Sequence, residues 1–404
     1  MAENKDKKVL NVPNIRFPEF KEEWEECRLG EVATIVGRIG FRGYTINDIV
    51  EKGMGAIALS PTNIVNNQLT YDKDNTYISL YKYEESPEIM IKEGDIIFVK
   101  TGSTVGKVAY VDKLICKTTL NPQVVVLKDI QCNNYYLYAI MSTHYFQNNI
   151  QKITVGGAVP TLSQAAMSNI VISLPFVKEQ NKIAKFLSLL DERIATQNKI
   201  IDKLESLIKG ISRKLLDEEE GHYVSLENIL KERIEKTTIN NQYEVLSSTV
   251  NGIFIQREYF SREIASSNNV GYKVLRLNEI VLSPQNLWMG NINYNKSFKI
   301  GIVSPSYKIF SIADCYDKDF IAALLKTNRA LYNYALASEQ GASIVRRNLN
   351  IEAFKQIVFK LPSYKKQCQI GKTISLLEKS LENNMKLKNS YELQKTYLLR
   401  QMFI

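Results

Sequence analysis

The longest regular pattern of apolar positions in this chain begins just after Pro175. Apolar side chains recur there in alternating steps of four and three residues, with no proline inside, and Gln197 occupies one position of the same series. This spacing predicts a helix whose apolar stripe packs against another helix. At ~1.5 Å per residue, the helix over residues 179–216 would be about 57 Å long. The stripe consists of Ile183, Leu187, Leu190, Ile194, Ile201, Leu204, Ile208, Ile211 and Leu215.

The same pattern returns 187 residues later. Residues 174–191 read LPFVKEQNKIAKFLSLLD and residues 361–378 read LPSYKKQCQIGKTISLLE, so Leu, Pro, Gln, Ile, Lys and Ser-Leu-Leu coincide without a gap. A chain that repeats itself in this way has two copies of one unit. The second stripe consists of Ile370, Ile374, Leu377, Leu381, Tyr391, Leu398 and Met402.

The middle of the second stripe is less apolar than that of the first. Lys388 and Lys395 fall in apolar positions, and Met385 and Leu387 offer an alternative stripe at this point. A helix of this length must still bury its apolar face to be stable, and the other copy is the economical partner.

Two like units in one chain tend to pack about a pseudo-twofold axis, which requires the two long helices to run antiparallel. Gln197 and Asn384 are equivalent residues at the middle of residues 179–216 and 366–403. We predict that they face each other near the centre of an antiparallel coiled coil and fix its register. The alternative is that both amides point to solvent on an interrupted stripe.

About 150 residues precede each helix, and both segments mix strand and helix patterns in the same order. Short apolar runs bounded by Gly, Asn and Pro predict strands, at residues 93–100, 106–111 and 122–130 and again at 278–284, 290–295 and 305–314. Each set is followed by one predicted helix, at residues 133–153 and 317–336. The scaffold is therefore repeated while the loops differ, as two binding modules for different targets require.

These patterns predict an α+β fold. Two pseudo-twofold-related mixed α/β domains, at residues 1–177 and 217–364, are separated by two long antiparallel helices that form a coiled coil, at residues 178–216 and 365–404.

Composition adds a direction to this picture. The 404 residues carry a net charge of +9, a surplus that favours polyanions, with nucleic acid first and acidic membrane second. The five cysteines are scattered and never spaced as CxxC, which argues against a disulfide framework and a structural zinc site. No apolar stretch approaches ~20 residues and no signal-peptide pattern opens the chain, so a cytoplasmic protein is expected.

Catalytic chemistry is poorly represented in the sequence. Residues 102–108, GSTVGKV, are one residue short of a phosphate-binding loop and have Val108 where a magnesium-binding hydroxyl would be needed, so they predict a hairpin turn. Only two histidines are present, and no Gly-rich cofactor loop follows a strand. Asn121-Pro122-Gln123 lacks the aromatic residue of an adenine-methylating motif. We therefore predict no catalytic, cofactor-binding or metal-binding residues in this chain.

Candidate DNA-binding residues lie in the loops of both halves. Basic, amide and aromatic side chains can contact phosphates or base edges, whereas each taken singly could also be a solvated surface residue. The candidates are Arg38, Arg42, Lys100, Ser103 and Lys107 in the first half, and Asn286, Trp288, Arg346 and Arg347 in the second half.

Three features together resemble the specificity (S) subunit of type I restriction–modification systems. They are VPNIRFPEFKEEWEECRLGEV at residues 12–32, GDIIFVKTGSTVGKVAYV at 94–111, and the doubled LPxxxxQxxIxxxxSLL motif followed by a long helix. The resemblance covers essentially the whole chain. It departs from the pattern where Glu378 replaces Asp191 and where the second stripe is less apolar.

The resemblance implies a non-catalytic reader of double-stranded DNA. Each target-recognition domain would read one half of a bipartite site through the major groove, and the two helices would set the spacing. Expected partners are two modification (methyltransferase) subunits, which bind S-adenosylmethionine and methylate adenine, and two restriction subunits, which are ATP-dependent translocases and nucleases that also need magnesium. No membrane partner is expected. Alternatives are a tandem DNA-recognition subunit of another methyltransferase or defence complex, or a coiled-coil protein adaptor.

Overall fold

The structure is a computed structural model that describes residues 11–71, 75–216, 221–260, 268–340 and 347–404. Packing divides the chain into two compact units, one formed by Met1–Thr196 with Leu387–Ile404 and the other by Gln197–Lys386. The predicted boundaries gave each long helix a segment of its own, whereas packing divides each helix between the two units. No helix among the described residues is both long enough and apolar enough to cross a bilayer.

Within its described residues, the first unit begins with eleven strands and five short helices. The strands are β1 Glu25–Arg28, β2 Thr34–Gly37, β3 Ala56–Leu59, β4 Ile64–Val65, β5 Gln68–Leu69, β6 Thr76–Ile78, β7 Ile96–Val99, β8 Val108–Tyr110, β9 Thr118–Leu120, β10 Val124–Lys128 and β11 Val171–Leu174. The helices are α1 Leu29–Val32, α2 Leu80–Glu84, α3 Asn134–Met141, α4 His144–Ile153 and α5 Gln164–Ser168, and the long helix α6 follows at Val177–Leu216.

A six-stranded sheet in the order β2-β10-β7-β8-β5-β4 forms the centre of the first unit. Its middle strands are antiparallel, with Val125 opposite Gly37 and Phe98, and Phe98 opposite Val108. The strands β6, β3 and β9 form a separate three-stranded sheet in that order, and β1 pairs with β11. The predicted strands at 93–100, 106–111 and 122–130 are confirmed as β7, β8 and β10.

The central strands of the first unit are buried on both faces. Ile96 and Phe98 belong to a core cluster that includes α3, α4 and α6, whereas Ile97 and Val99 belong to a second cluster with β3 and β9. Strands covered on both faces read as continuous apolar runs rather than as an alternating pattern.

The second unit repeats this plan with a smaller central sheet. Its strands are β12 His222–Ser225, β13 Leu230–Glu232, β14 Leu246–Thr249, β15 Gly252–Ile255, β16 Lys273–Arg276, β17 Glu279–Leu282, β18 Ile292–Tyr294, β19 Ile300–Val303, β20 Lys308–Ile312, β21 Ser338–Gln340, β22 Arg347–Leu349 and β23 Val358–Leu361. Its helices are α7 Leu226–Ile229, α8 Gln256–Tyr259, α9 Lys318–Leu324, α10 Asn328–Leu336, α11 Ile351–Lys355 and α12 Tyr364–Gln401.

The central sheet of the second unit has four strands in the order β13-β20-β17-β18. Ile280 and Leu282 of β17 belong to a core cluster with α9, α10 and α12, and Val281 belongs to a second cluster with β14, β16 and β19. The pair β12-β23 corresponds to β1-β11, because each joins the first strand of its unit to the strand that precedes the Leu-Pro motif. The predicted strands at 278–284, 290–295 and 305–314 are confirmed as β17, β18 and β20.

The helices predicted at residues 133–153 and 317–336 are each two helices, so the prediction of a single helix was wrong in both units. The second helix of each pair begins after a threonine, Thr143 or Thr327. Each hydroxyl accepts a hydrogen bond from a backbone N–H three residues later, at 3.2 Å, and donates to a carbonyl three residues earlier, at 2.7 and 2.8 Å. A threonine in this position caps a new helix even where the apolar periodicity continues.

The glutamine of the Leu-Pro motif, which is present in both copies, has a structural role. Gln180 is 3% exposed, and its Nε2 donates to the carbonyl of Pro175 at 2.7 Å. Its Oε1 accepts from the backbone N–H of Asn133 at 2.9 Å. Asn133 is the residue that caps α3, so one amide joins the start of the long helix to the start of the helical pair.

The second copy makes the same connection. Gln367 is 2% exposed, donates to the carbonyl of Pro362 at 2.9 Å, and accepts from the backbone N–H of Asp317 at 3.2 Å. Asp317 caps α9. The motif therefore encodes a hydrogen-bonded junction, which fixes the direction in which each long helix leaves its own unit.

Within the first unit, α6 and α12 run antiparallel. Arg193 lies over the ring of Tyr391, and Asp191 forms an ion pair with Lys395 at 2.6 Å, so residue numbers increase in opposite directions along the two helices. Tyr135 also donates a hydrogen bond to Asp191. Burial, followed by the nearby Asp191 carboxylate, raises the pKa of Tyr135, so its hydroxyl stays protonated as a donor.

Within the second unit, the same two helices are also antiparallel. Nε2 of Gln197 donates to Oδ1 of Asn384, and further along Ile211 packs against the core cluster that contains Ile374. Nδ2 of Asn384 in turn donates to the carbonyl of Ser380 at 2.6 Å. The predicted antiparallel coiled coil is confirmed, and the structure brings together the two amides that the repeat made equivalent.

The alternative stripe at Met385 and Leu387 is wrong, because these side chains are 49% and 42% exposed. Lys388 and Lys395 keep the half-buried positions instead. Lys395 is tolerated there by its ion pair with Asp191, and Lys388 lies 3.7 Å from Glu392. The side chain of Leu215 lies outside the described residues.

Candidate nucleic-acid interface

Most of the candidate DNA-binding residues of the first half emerge at one end of its six-stranded sheet. Gly37 at the end of β2 lies opposite Val125, and Val99 at the end of β7 lies opposite Val124, the first residue of β10. The register therefore places Arg38, Lys100 and the turn that carries Ser103 and Lys107 at the same end of the sheet.

The predicted hairpin turn between β7 and β8 is confirmed by their antiparallel pairing. The turn is tied to the Gly-rich segment at residues 155–163, since Gly102 N–H donates to the carbonyl of Pro160 at 2.9 Å and Leu162 N–H donates to that of Lys100 at 2.8 Å. Gly106 has a φ of +98°, a conformation that side chains disfavour. A Gly-rich loop and a basic turn thus form one surface.

Arg38 does not present its charge on this surface. It is 5% exposed, and its guanidinium donates to the carbonyl of Leu120 at 2.8 Å and to Oγ1 of Thr119 at 3.1 Å. Burial lowers the pKa of Arg38. Arg42 follows nearby, with its guanidinium 3.3 Å from the carbonyl of Glu85. In this structure Arg38 supports the loop from inside.

The other three candidates of the first half are more accessible. Lys100 and Lys107 are half-buried and Ser103 is exposed. Nζ of Lys107 lies 3.3 Å from the carbonyl of Ile64. Lys100 has no hydrogen-bond or ion-pair partner for its amine among the described residues, so its charge is available to a ligand.

The corresponding end of the second sheet carries a compact loop at residues 283–291. Leu282 at the end of β17 lies opposite Lys308 and Ile292. The loop therefore leaves its own sheet at the end that corresponds to the β7-β8 turn in the first sheet. Asn286 closes the loop because its carbonyl accepts from the N–H groups of Met289 and Asn291 at 3.1 and 3.2 Å.

The loop is anchored below by Leu287, which is fully buried, and it ends at Gly290 with a φ of +92°. Gly106 has the corresponding place in the first unit, because each glycine lies two residues before the second strand of its hairpin. The two units therefore share a left-handed glycine before the second strand of the hairpin, while the loop that precedes it differs.

Trp288 and Arg347 are brought together by this loop and β22. The guanidinium carbon of Arg347 lies 4.5 Å from the centre of the Trp288 ring, and the Arg347 N–H donates to the carbonyl of Gln285 at 3.3 Å. Both side chains are half-buried. Arg346, the other candidate, lies outside the described residues.

A buried polar network behind the loop was missed by sequence reasoning. Oγ of Ser248 donates to Oδ1 of Asn291 at 2.7 Å and accepts from Nδ2 of Asn293 at 2.7 Å, and all three residues are less than 9% exposed. The network attaches β14 to β18 and so holds the base of the loop. Asparagines at alternate positions of GNINYN, on one face of a strand, were the available signal.

No group of three or more His, Cys, Asp or Glu side chains suited to a metal ion occurs in the part of the chain that the structure describes. The five cysteines are free thiols. The features at these two sheet ends are cations, amides and an aromatic ring, which are the groups that contact phosphates and base edges.

A family model described as the type I restriction modification DNA specificity domain matches residues 21–206. This part of the chain is similar to the type I specificity domain. The match includes β1 to β11 and most of α6, and therefore the whole candidate surface of the first unit. The resemblance to type I specificity subunits is confirmed.

Curated relatives of the specificity domain come from Methanocaldococcus jannaschii. The chain is 33% identical to the type I restriction enzyme MjaVIII specificity subunit over 130 residues, which are 32% of this chain and 29% of that protein. It is 27% identical to the putative type I restriction enzyme MjaX specificity subunit over 215 residues, 52% of this chain and 49% of that protein. The chain thus spans about half, or less, of the length of these relatives.

The fold extends beyond the matched specificity domain. The crystal structure of a type I restriction-modification system S subunit from M. genitalium has a TM-score of 0.64 to this chain at 14% identity, and the match covers 97% of this chain and 99% of that one. At this identity the similarity concerns the fold. It includes the second unit, of which the family model matches only residues 197–206. The predicted α+β class with two domains and long helices is confirmed.

Proposed function

We propose that this chain is the DNA sequence-specificity subunit of a type I restriction–modification complex. It reads a bipartite target in double-stranded DNA, with one unit for each half-site, and positions the DNA for adenine methylation or cleavage by partner subunits. The observation that carries the proposal is the shared scaffold. Both units have the same strand pairs, capped helical pairs and glutamine junctions, but different side chains at the same end of the central sheet.

The candidate surfaces suit DNA in their chemistry. Lys100, Ser103 and Lys107 in the first unit, and Asn286, Trp288 and Arg347 in the second, offer donors and a stacking face rather than acids. The net charge of +9 supplies affinity that does not depend on sequence and that falls steeply with salt. Loop side chains then discriminate between bases in the major groove.

We propose the same partners as the family resemblance implies, acting in the cytoplasm. Two modification subunits would bind S-adenosylmethionine and methylate adenine, and two restriction subunits would supply ATP- and magnesium-dependent translocation and cleavage. This chain contributes recognition and no catalytic group. The long helices, which enter the core of each unit, would join the two readers and fix the spacing of the half-sites.

The decisive experiment uses the chain assembled with its host's modification subunits. Methylated adenines are mapped across a genome, with the native chain and with a chain in which residues 217–364 come from another such protein. One half-site should change and the other should stay. A change in both half-sites, or in neither, contradicts the modular assignment.

Two other functions predict different results in the same system. A coiled-coil protein adaptor predicts that the assembled complex binds DNA weakly, or with an affinity that salt does not change. A tandem reader for another methyltransferase or defence complex predicts the same two-part target but different co-purified partners. Identification of the subunits that co-purify from the native host separates these cases.

A further inference from the structure

Arg347 and Trp288 form a built arrangement at the candidate surface of the second unit. The guanidinium carbon lies 4.5 Å from the centre of the indole ring, a distance at which the ring attracts the cation. A guanidinium that lies over an aromatic face loses solvent from one side, while its terminal nitrogens can still donate to a ligand.

The guanidinium donors of Arg347 have no acceptor among the residues that the structure describes. Nε is buried without a hydrogen-bond partner, and the terminal nitrogens Nη1 and Nη2 make no hydrogen bond or ion pair with the described residues. Three other arginines of the same unit each pair with a carboxylate, namely Arg233, Arg257 and Arg276. The terminal nitrogens therefore keep donors that a ligand can use, and this arrangement indicates a site that a ligand completes.

Both residues are held by rigid surroundings. Arg347 opens β22, and its backbone N–H binds the carbonyl of Gln285 in the loop at 283–291. Trp288 lies in the short helical turn Leu287–Met289 of that loop. Leu287, the residue that precedes Trp288, is fully buried. The guanidinium is therefore already ordered in the free protein, so a ligand loses less binding free energy to the conformational entropy of this side chain.

We propose that Arg347, stacked on Trp288, is a guanine-binding site that reads one G·C pair of one half-site. The inference rests on the proposed function. Nη1 and Nη2 donate in parallel to O6 and N7 of the guanine in the major groove, the base that offers two adjacent acceptors. Trp288 is a positioning residue, since it orients the guanidinium and makes no contact with the base.

The test uses the complex of the full chain with its modification subunits and a pool of DNA targets randomised in both half-sites. Methylated molecules are sequenced for the native chain and for Arg347→Lys, Arg347→Ala and Trp288→Ala. We expect preference for G at one position to fall by about tenfold to a hundredfold in both Arg347 variants. Trp288→Ala relaxes the same position, while every position of the other half-site is unchanged.

Arg347→Lys is informative because lysine keeps the charge but lacks the planar fork. A uniform loss across all sequences, recovered by Arg347→Lys, identifies a phosphate contact and overturns the proposal. Unchanged preference at every position also overturns it. Arg276→Lys is the matched control, since Arg276 precedes β17 at the opposite end of the sheet, and it leaves the target unchanged.

Failure of the proposed function gives a different result. In that case the native complex itself selects no sequence from the pool. If the native complex selects a two-part target and the Arg347 variants select the same one, only the guanine site is wrong. Trp288→Phe, which keeps a stacking face, retains the preference and shows that a loss in Trp288→Ala does not reflect unfolding.

Discussion

Gln197 donates a side-chain hydrogen bond to Asn384, its equivalent residue 187 positions later. Gln197 is 5% exposed and Asn384 is half-buried, so this amide pair is a polar contact enclosed between α6 and α12. A polar pair in such a place contributes less to stability than leucines would, but it selects one alignment of the two helices. The duplication thus places equivalent residues of the two long helices in contact with each other.

Replacing both amides should separate stability from register. We expect Gln197→Leu combined with Asn384→Leu to unfold at the same or a higher denaturant concentration, because an apolar pair replaces a polar one. Methylation mapping should show targets with more than one spacer length, because no polar pair then selects the alignment. Lys203→Leu, an exposed change on α6, serves as the control. A single unchanged spacer in the double variant contradicts the register role.

The glutamine junction should be important for the second unit. Gln367→Ala leaves the carbonyl of Pro362 and the N–H of Asp317 without their partner in a site that is 2% exposed. We expect a loss in the free energy of unfolding of about 1–3 kcal/mol for each buried group. Gln369→Ala, an exposed neighbour on the same helix, is the matched control. Equal denaturation curves for the two variants would show that the junction is dispensable.

Two helical glycines should respond to alanine with opposite signs. A Cβ on Gly371 would clash with Oδ1 of Asp317 and would lie 2.7 Å from the backbone nitrogen of Phe320, where α9 is capped. Gly371→Ala should therefore lower the melting temperature. Gly210, in α6, has nothing within 4 Å of such a Cβ, so Gly210→Ala should stabilise by up to about 1 kcal/mol through helix propensity. Calorimetry of both variants checks the prediction, and stabilisation by Gly371→Ala would contradict it.

Lys100 and Arg38 should differ although both were candidates for DNA binding. Lys100→Ala should weaken DNA binding equally for all sequences and reduce the slope of log K against log salt by about one, as the loss of one phosphate contact does. Arg38→Met should instead lower stability, because it leaves the carbonyl of Leu120 and Oγ1 of Thr119 without a donor. Salt titrations and denaturation curves of the two variants measure both effects. An unchanged salt slope for Lys100→Ala excludes its phosphate contact.

The sequence predicted those features that a repeat or a period determines. The two long helices and the equivalence of Gln197 with Asn384 followed from spacing alone. Three strands of each central sheet followed from apolar runs between turn residues, whereas β2, β4, β5 and β13 were not predicted. Long apolar periodicity could not reveal the breaks at Thr143 and Thr327, because a cap depends on one hydroxyl and not on the pattern around it.

The candidate site was less predictable than the scaffold. Residue type made Arg38 a candidate for DNA binding, but its burial depends on a carbonyl and a hydroxyl group supplied by β9, far along the chain. The contact between Arg347 and Trp288 joins β22 to the loop at 283–291, and these two segments show no common pattern in the sequence. Contacts of this kind are set by tertiary packing, which composition and spacing do not encode locally.

The last part of the chain completes the first unit. Leu398, Met402 and Phe403 lie in its core, where Phe403 meets the ring of Trp24 at a centroid distance of 6.4 Å. During synthesis from the N-terminus, the ribosome therefore releases the second unit, a continuous stretch of chain, before the first has all of its core. The unit that is translated first is therefore the one that must wait to fold, and a chain that stops before Leu398 would leave the apolar interior of this unit exposed to other proteins in the cell.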